Sequence, residues 1–184
     1  FLDGDDVWSK DKLSTQVIFM LKNKYPISHT EYAFINAEGK LLPRGHLKVD
    51  REVDLKKLMK TTQLGLSTVM VDRRQIGKTV PFPEKRTLSE DTAAWMSLMR
   101  RGFKSYGIPR VMMLYRVRSS QLSGNKARMA FNMLNNYLRE KSIPLHKRFY
   151  YWSCYAVNGF AKRLRKSGGI PAEILQNFDQ RYNR

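Results

Sequence analysis

The sequence predicts an α/β fold in one domain without an intramolecular disulfide, and three observations carry the parts of that prediction. Short apolar or β-branched runs recur along the chain, in irregular alternation with amphipathic stretches at helical spacing. Hydrophobic residues make up 42% of the 184 residues, enough for one domain with a real core, and a second full domain is not expected. The single cysteine, Cys154, excludes an intramolecular disulfide or a cysteine-based metal site as the framework and fits a reducing compartment.

Taken in order, Phe1-Leu2 leads into Asp3-Gly4-Asp5-Asp6 and reads as the end of a buried strand. So short an apolar lead, opening on Phe, predicts that the chain begins within a domain of a longer protein. Leu13, Val17, Met20 and Leu21 predict an amphipathic helix over Lys10 to Lys24. Tyr32 to Ile35 is strand-like, and Ala37-Glu38-Gly39-Lys40 turns the chain. Leu55, Leu58 and Met59 suggest a short helix with Asp50 or Asp54 near its start. Ser67 to Val71 reads as a buried strand. Pro81-Phe82-Pro83 is a loop. A helix begins at Ser89, its expected N-cap, carries Glu90 and Asp91 in the first turn, and ends at Gly102. Strands follow near Phe103–Ile108 and Val111–Val117. Helices are expected over 125–139 and 144–165, with a polar tail after Gly168-Gly169.

The net charge of +18 is unevenly placed. Residues 1–99 hold 16 Lys/Arg and 13 Asp/Glu, whereas residues 100–184 hold 18 and 3. A half so basic calls for a polyanion: nucleic acid, anionic lipid or a diphosphate. No apolar run reaches the ~20 residues that span a bilayer.

Three features carry candidate chemistry. The first is the Asp3/Asp5/Asp6 cluster, whose like charges need a cation and whose oxygens suit Mg²⁺ or Mn²⁺. An Asp-Gly turn alone would explain less of it, and the spacing does not make an EF-hand. The second is Glu90-Asp91 with Trp95 one helical turn on. Helix capping explains the carboxylates alone, but a carboxylate beside an indole could bind a sugar and take a hydroxyl proton. The third is Tyr115-Arg116-Val117-Arg118, followed by Ser119, Ser120, Ser123, Asn125 and Lys126. It could clasp a diphosphate, or protect an edge strand with charge.

Together these features resemble the family 2 glycosyltransferases, whose catalytic domain has the GT-A fold. The family's apolar strand ending in Asp-x-Asp-Asp with an aromatic after it matches Phe1 to Trp8. Lys12-Leu13 and Gln16 resemble its next helix. Its Glu-Asp-x-x-x-Trp segment matches Glu90, Asp91 and Trp95, and its Tyr-Arg strand end matches Tyr115-Arg116. The resemblance covers residues 1–126, and 127–184 form a basic, aromatic helical extension. At Gln121 the chain departs from the family's serine-bearing loop, and the nucleotide-binding βαβ half upstream of the acidic motif is missing. The resemblance therefore implies a partial GT-A (Rossmann-like) domain with a mixed sheet, inactive by itself.

It further implies inverting transfer from a nucleotide-diphosphate sugar, most often a UDP-sugar, to an acceptor hydroxyl in surface polysaccharide assembly. Asp5 and Asp3 would hold the divalent metal. Asp3, Asp6, Arg116 and Arg118 would contact the donor. Asp91 would be the general base, oriented by Glu90, and Trp95, Ser67 and Thr68 would shape the acceptor side. The acceptor would be a glycan or lipid-linked, and the protein cytoplasmic or peripheral on the inner membrane face. Phe149, Trp152, Ala156 and Phe160 can share one face of a basic helix within 144–166, a composition suited equally to an anionic membrane surface and to packing those aromatics on the domain's own core with the charge in solvent.

Two rival readings are weaker. A nucleic-acid-binding module would use the basic half, yet no such motif appears and the acidic cluster would repel phosphate. A haloacid-dehalogenase-type phosphatase would use Asp3 as nucleophile, but Asp6-Val7-Trp8 departs from its motif and Glu90-Asp91 has no place in it. His29, His46 and His146 are too dispersed for a metal site.

Overall fold

The computed structural model describes residues 1–61, 63–77, 79–83, 89–118, 126–164 and 176–178. Its order is β1 (Val7–Trp8), α1 (Lys12–Asn23), β2 (Ile27–Ile35), β3 (Leu41–Leu47), β4 (Glu52–Val53), α2 (Leu55–Thr61), β5 (Met70–Val71), α3 (Arg73–Ile76), α4 (Glu90–Arg100), β6 (Ser105–Arg116), α5 (Lys126–Arg139) and α6 (Leu145–Leu164). The α/β class holds, with a mixed, curled sheet.

β2 and β6 run parallel at its centre, from Ile27 opposite Ser105 to Ile35 opposite Arg116. Short antiparallel strands cover their outer edges: β1 and β4 lie on β6, and β3 and β5 on β2. The two strands expected over 103–117 are one. Their apparent interruption is a bulge at Pro109-Arg110, where proline has no N–H for the ladder and the register against Thr30 and Glu31 shifts. β3 was not expected, because Leu41-Leu42-Pro43-Arg44-Gly45 carries none of the strand alternation and two strand breakers.

Three further expectations are corrected. Phe1-Leu2 is not in a strand; the strand follows the acidic cluster instead of preceding it. Ser67 and Thr68 lie in a 3-10 turn (Leu66–Thr68), leaving Met70–Val71 as the strand. Helix α1 is amphipathic in the reverse sense. Lys12, Gln16 and Met20 are buried, whereas Leu13, Val17, Ile18 and Leu21 are exposed. The reason is a polar network: Gln16 Nε2 donates to Ser28 Oγ (3.0 Å) and Thr68 O (3.1 Å). Lys12 Nζ bonds Gln16 Oε1 and lies 4.3 Å over the Trp8 ring.

The main core joins Ile27 to Leu58 and Met59 of α2, Trp95 and Leu98 of α4, and Met133, Tyr137 and Tyr151 of α5 and α6. The Tyr137 hydroxyl donates to Met59 O, tying α5 to α2. A second cluster on the sheet gathers Ala33, Ile35, Val111 and Leu114 around Phe178.

Candidate active site

The acidic cluster is both a turn and a charge concentration. Asp6 N–H donates to Asp3 O at 3.1 Å, closing the Asp3–Asp6 turn at the entrance to β1. From the other side, Ser67 pins it. Its hydroxyl accepts from Asp3 N (3.1 Å) and donates to Asp6 Oδ2 (2.6 Å), and Trp8 Nε1 donates to Ser67 O (2.7 Å).

Arg116, at the end of β6, closes the third side. Its Nε donates to Asp5 O (2.8 Å), its Nη1 to Asn36 O (3.1 Å) and Ala37 O (2.8 Å), and its backbone N–H to Asp6 Oδ1 (3.2 Å). Both Asp6 oxygens are thus engaged by the protein. Burial pushes the Asp6 carboxyl up to about 6, although its bonds to Ser67 and Arg116 pull the other way. In this arrangement Asp6 and Arg116 build the site's walls rather than offering free groups to a donor. Arg118 Nε lies 3.9 Å from Asp5 Oδ2, with half its side chain in solvent.

Asp3 and Asp5 remain. The Asp3 carboxyl is raised by burial, then by the negative charge of Asp5, and more weakly by Glu90. Asp91 is raised too, chiefly by burial, with Asp3 and Glu90 adding to it. The fold therefore brings the chain's first acidic cluster and the start of α4 into one electrostatic neighbourhood. Thr92 N donates to Asp91 Oδ1 at 2.7 Å. Among the described residues no hydrogen bond is made to Asp91 Oδ2, and the Glu90 carboxylate makes no hydrogen bond or ion pair.

Ser89 was expected to cap α4. Instead it sits at φ 74°, and its hydroxyl has no partner among the described residues. The expected end at Gly102 holds: at φ 93° its N–H bonds Met99 O (3.0 Å).

The expected acceptor residues have a different place from the one their motif suggested. Trp95 is 1% exposed, with Phe1 and Phe82 packed edge-on at centroid distances of 5.7 and 6.0 Å. No sugar can stack on that ring while those two cover it. Ser67 and Thr68 are buried as well, and Thr68 Oγ1 is spent on Gly65 O at 2.7 Å. The half-buried aromatics near the carboxylates are Tyr32 and Tyr115, 6.1 Å apart. Burial raises the Tyr32 hydroxyl most, and the charges of Asp6 and Asp91 raise it further. Sequence reasoning missed Tyr32; the register of β2 on β6 sets it beside Tyr115. The loop residues Ser119, Ser120, Gln121, Ser123 and Asn125 lie outside the described residues.

Among the described residues no group of three His, Cys, Asp or Glu side chains is gathered at ligand spacing. His29 is buried, with Nδ1 2.7 Å from Ser105 Oγ, and burial lowers it to about 4. His46 pairs with Glu31 at 3.2 Å. Asp3 and Asp5 remain as a pair of carboxylates in which the charge of Asp5 helps to raise Asp3. Mg²⁺ is commonly held by one or two carboxylates with phosphate oxygens completing its shell. The mutual repulsion of these two carboxylates is what such an ion would offset.

No family model matches the chain. Known proteins do. It is 33% identical over 164 residues to a Bacillus subtilis protein named as a teichuronic acid biosynthesis glycosyltransferase, covering 89% of this chain and 64% of that one. A Haemophilus influenzae protein named as an uncharacterized glycosyltransferase is 31% identical, with 88% and 63% covered. An Escherichia coli protein named as a UDP-Glc:α-D-GlcNAc-diphosphoundecaprenol β-1,3-glucosyltransferase is 30% identical, with 88% and 62% covered. The chain thus spans a little under two thirds of the length of these relatives. Over nearly nine tenths of its own length it is similar to proteins named as glycosyltransferases.

Proposed function

We propose that this chain is the acceptor-side part of a family 2, GT-A-type glycosyltransferase. The enzyme moves a sugar, with inversion, from a UDP-sugar to a hydroxyl of a glycan or lipid-linked acceptor in surface polysaccharide assembly. The observation that carries the reading is the approach of the acidic turn to the start of α4 across more than eighty residues of chain: Phe1 packs on Trp95 at 5.7 Å, and the charge of Asp3 adds to the rise of Asp91. The names of the relatives, one acting on a diphosphoundecaprenol-linked sugar, supply the substrate class.

In this reading Asp91 Oδ2 takes the proton of the acceptor hydroxyl as that oxygen attacks the anomeric carbon. The Thr92 N–H on Oδ1 fixes the carboxylate's orientation. Its raised pKa makes Asp91 a stronger base than a solvated carboxylate, and Asp3 and Glu90 contribute to that elevation. Asp3 and Asp5 would hold Mn²⁺ or Mg²⁺, which neutralises charge on a departing diphosphate. Arg118, exposed beside Asp5, is free to swing toward the same phosphates. Peripheral contact with an anionic membrane through 144–166 belongs to this reading, and no nucleic acid is required by it.

The test is nucleotide release by the full-length protein from a panel of UDP-sugars, with and without Mn²⁺, on a lipid extract as acceptor. Metal-dependent release that falls about 10²–10⁴-fold in Asp91→Asn supports the assignment. Equal release by both proteins removes Asp91 as the base. Retention on DNA that survives Asp5→Ala, without sugar transfer, would favour the nucleic-acid module.

A further inference from the structure

Helix α6 presents two unlike faces. On one, Tyr151 is buried, Trp152 Nε1 donates to Ala130 O (3.1 Å) and Asn158 Nδ2 donates to Lys60 O (2.9 Å). That face packs on α5 and α2. Opposite, Leu145 (55%), Phe149 (47%), Tyr150 (56%) and Val157 (66%) stand exposed, with Ser153 and Ala156 exposed among them. At ~100° per residue these six fall within an arc of roughly 140°, which holds no Lys, Arg, Asp or Glu between residues 145 and 159. Trp152, expected on the apolar outer face, is turned inward, and Leu145, Tyr150 and Val157 replace it there.

The charge around this face has one sign. Residues 126–164 contain eight Lys/Arg and a single carboxylate, Glu140. That carboxylate is 2% exposed and is held by Ser142 Oγ at 2.6 Å. The described surface of α5 and α6 therefore shows exposed Arg139, Lys141 and Lys147 but no exposed acid.

We infer that this face of α6 docks on an anionic lipid surface, with Leu145, Phe149 and Val157 at the acyl boundary and Tyr150, whose ring lies 5.7 Å from Lys60 Nζ, at the head-group level with the lysines. A helix lying in an interface needs this pairing of uncharged face and basic flanks. A second copy of the chain would bring two cationic surfaces together, and nucleic acid, whose bases could stack on Phe149 and Tyr150, leaves aliphatic Leu145 and Val157 without a partner. The inference rests on the membrane-side reading for its biological setting, but the binding itself needs no donor sugar.

The experiment is co-sedimentation of the full-length protein with phosphatidylglycerol/phosphatidylcholine vesicles and with phosphatidylcholine alone, without nucleotide. Binding is expected on the anionic vesicles only, weakening with salt. The pair Phe149→Glu/Val157→Glu should lose about tenfold in partitioning, and Ile18→Glu, on the exposed side of α1, should lose nothing. A Phe149→Trp variant should gain emission that brominated lipid chains quench, which keeps the test open if the double variant misfolds. Unchanged binding of the double variant, loss through Ile18→Glu instead, or an unquenched Phe149→Trp overturns the inference. So does self-association abolished by the double variant, which would assign the face to a second copy. A failed transferase assay leaves the vesicle result standing, and the converse holds.

Discussion

Ser67 Oγ donates to Asp6 Oδ2 at 2.6 Å while accepting the Asp3 N–H at 3.1 Å. One hydroxyl, from a turn sixty residues downstream, thus holds both ends of the acidic turn. Ser67→Ala removes the donor and leaves a half-buried carboxylate oxygen without its partner. A loss of about 1–3 kcal/mol in urea unfolding is expected. Ser67→Thr, which keeps the hydroxyl, should recover part of it.

Asp6 makes stability depend on pH in a defined direction. Its folded pKa of about 6 lies above the ordinary 3.8, so the folded protein holds this proton more tightly than the unfolded chain. That contribution is complete below the unfolded value and is lost as pH rises through the folded one. Asp3 and Asp91 shift the same way. His29, lowered by burial to about 4, acts in the opposite sense across the same window, so the effect of Asp6 is read as a difference: with rising pH the native protein should lose melting temperature relative to Asp6→Asn. The same pH slope in both proteins would locate the effect elsewhere.

Arg116 serves three carbonyls at once, those of Asp5, Asn36 and Ala37. A planar guanidinium can reach them together and an ammonium cannot. Arg116→Lys is therefore expected to cost about 2–3 kcal/mol in unfolding free energy despite the retained charge. A Lys variant as stable as the native protein would show that charge, not geometry, matters at this position.

Gly107 lies where β6 passes under the chain before β4. A Cβ there would stand 2.2 Å from Asp50 O and 3.0 Å from His29 Nε2, and its own N–H already bonds Arg51 O at 2.9 Å. The obstacle is backbone, which cannot swing aside as a side-chain tip can. Gly107→Ala should destabilise by about 3 kcal/mol or more, read as a shifted denaturation midpoint. Gly102→Ala makes a useful contrast: nothing lies near its Cβ, and only its φ of 93° resists.

By itself the sequence determined the α/β class, the helices α1, α2, α4, α5 and α6, and the three motif positions. Those rest on local periodicity, on Asp54 capping α2 through Lys57 N–H, and on Gly102 ending α4. It also showed the charge asymmetry. Only the tertiary structure decided which faces turn inward. Lys12 and Gln16 are polar, yet Gln16 finds Ser28 and Thr68 as partners and the leucines of α1 are left outside. Trp95 reads as a sugar platform beside Asp91, yet Phe1 and Phe82, distant in sequence, cover it. Tyr32 carries no motif, and the parallel pairing of β2 with β6 sets it beside Tyr115. Local spacing reports which residues share a helix face or strand face. Which face is buried depends on partners brought from elsewhere in the chain, and a single sequence does not display them.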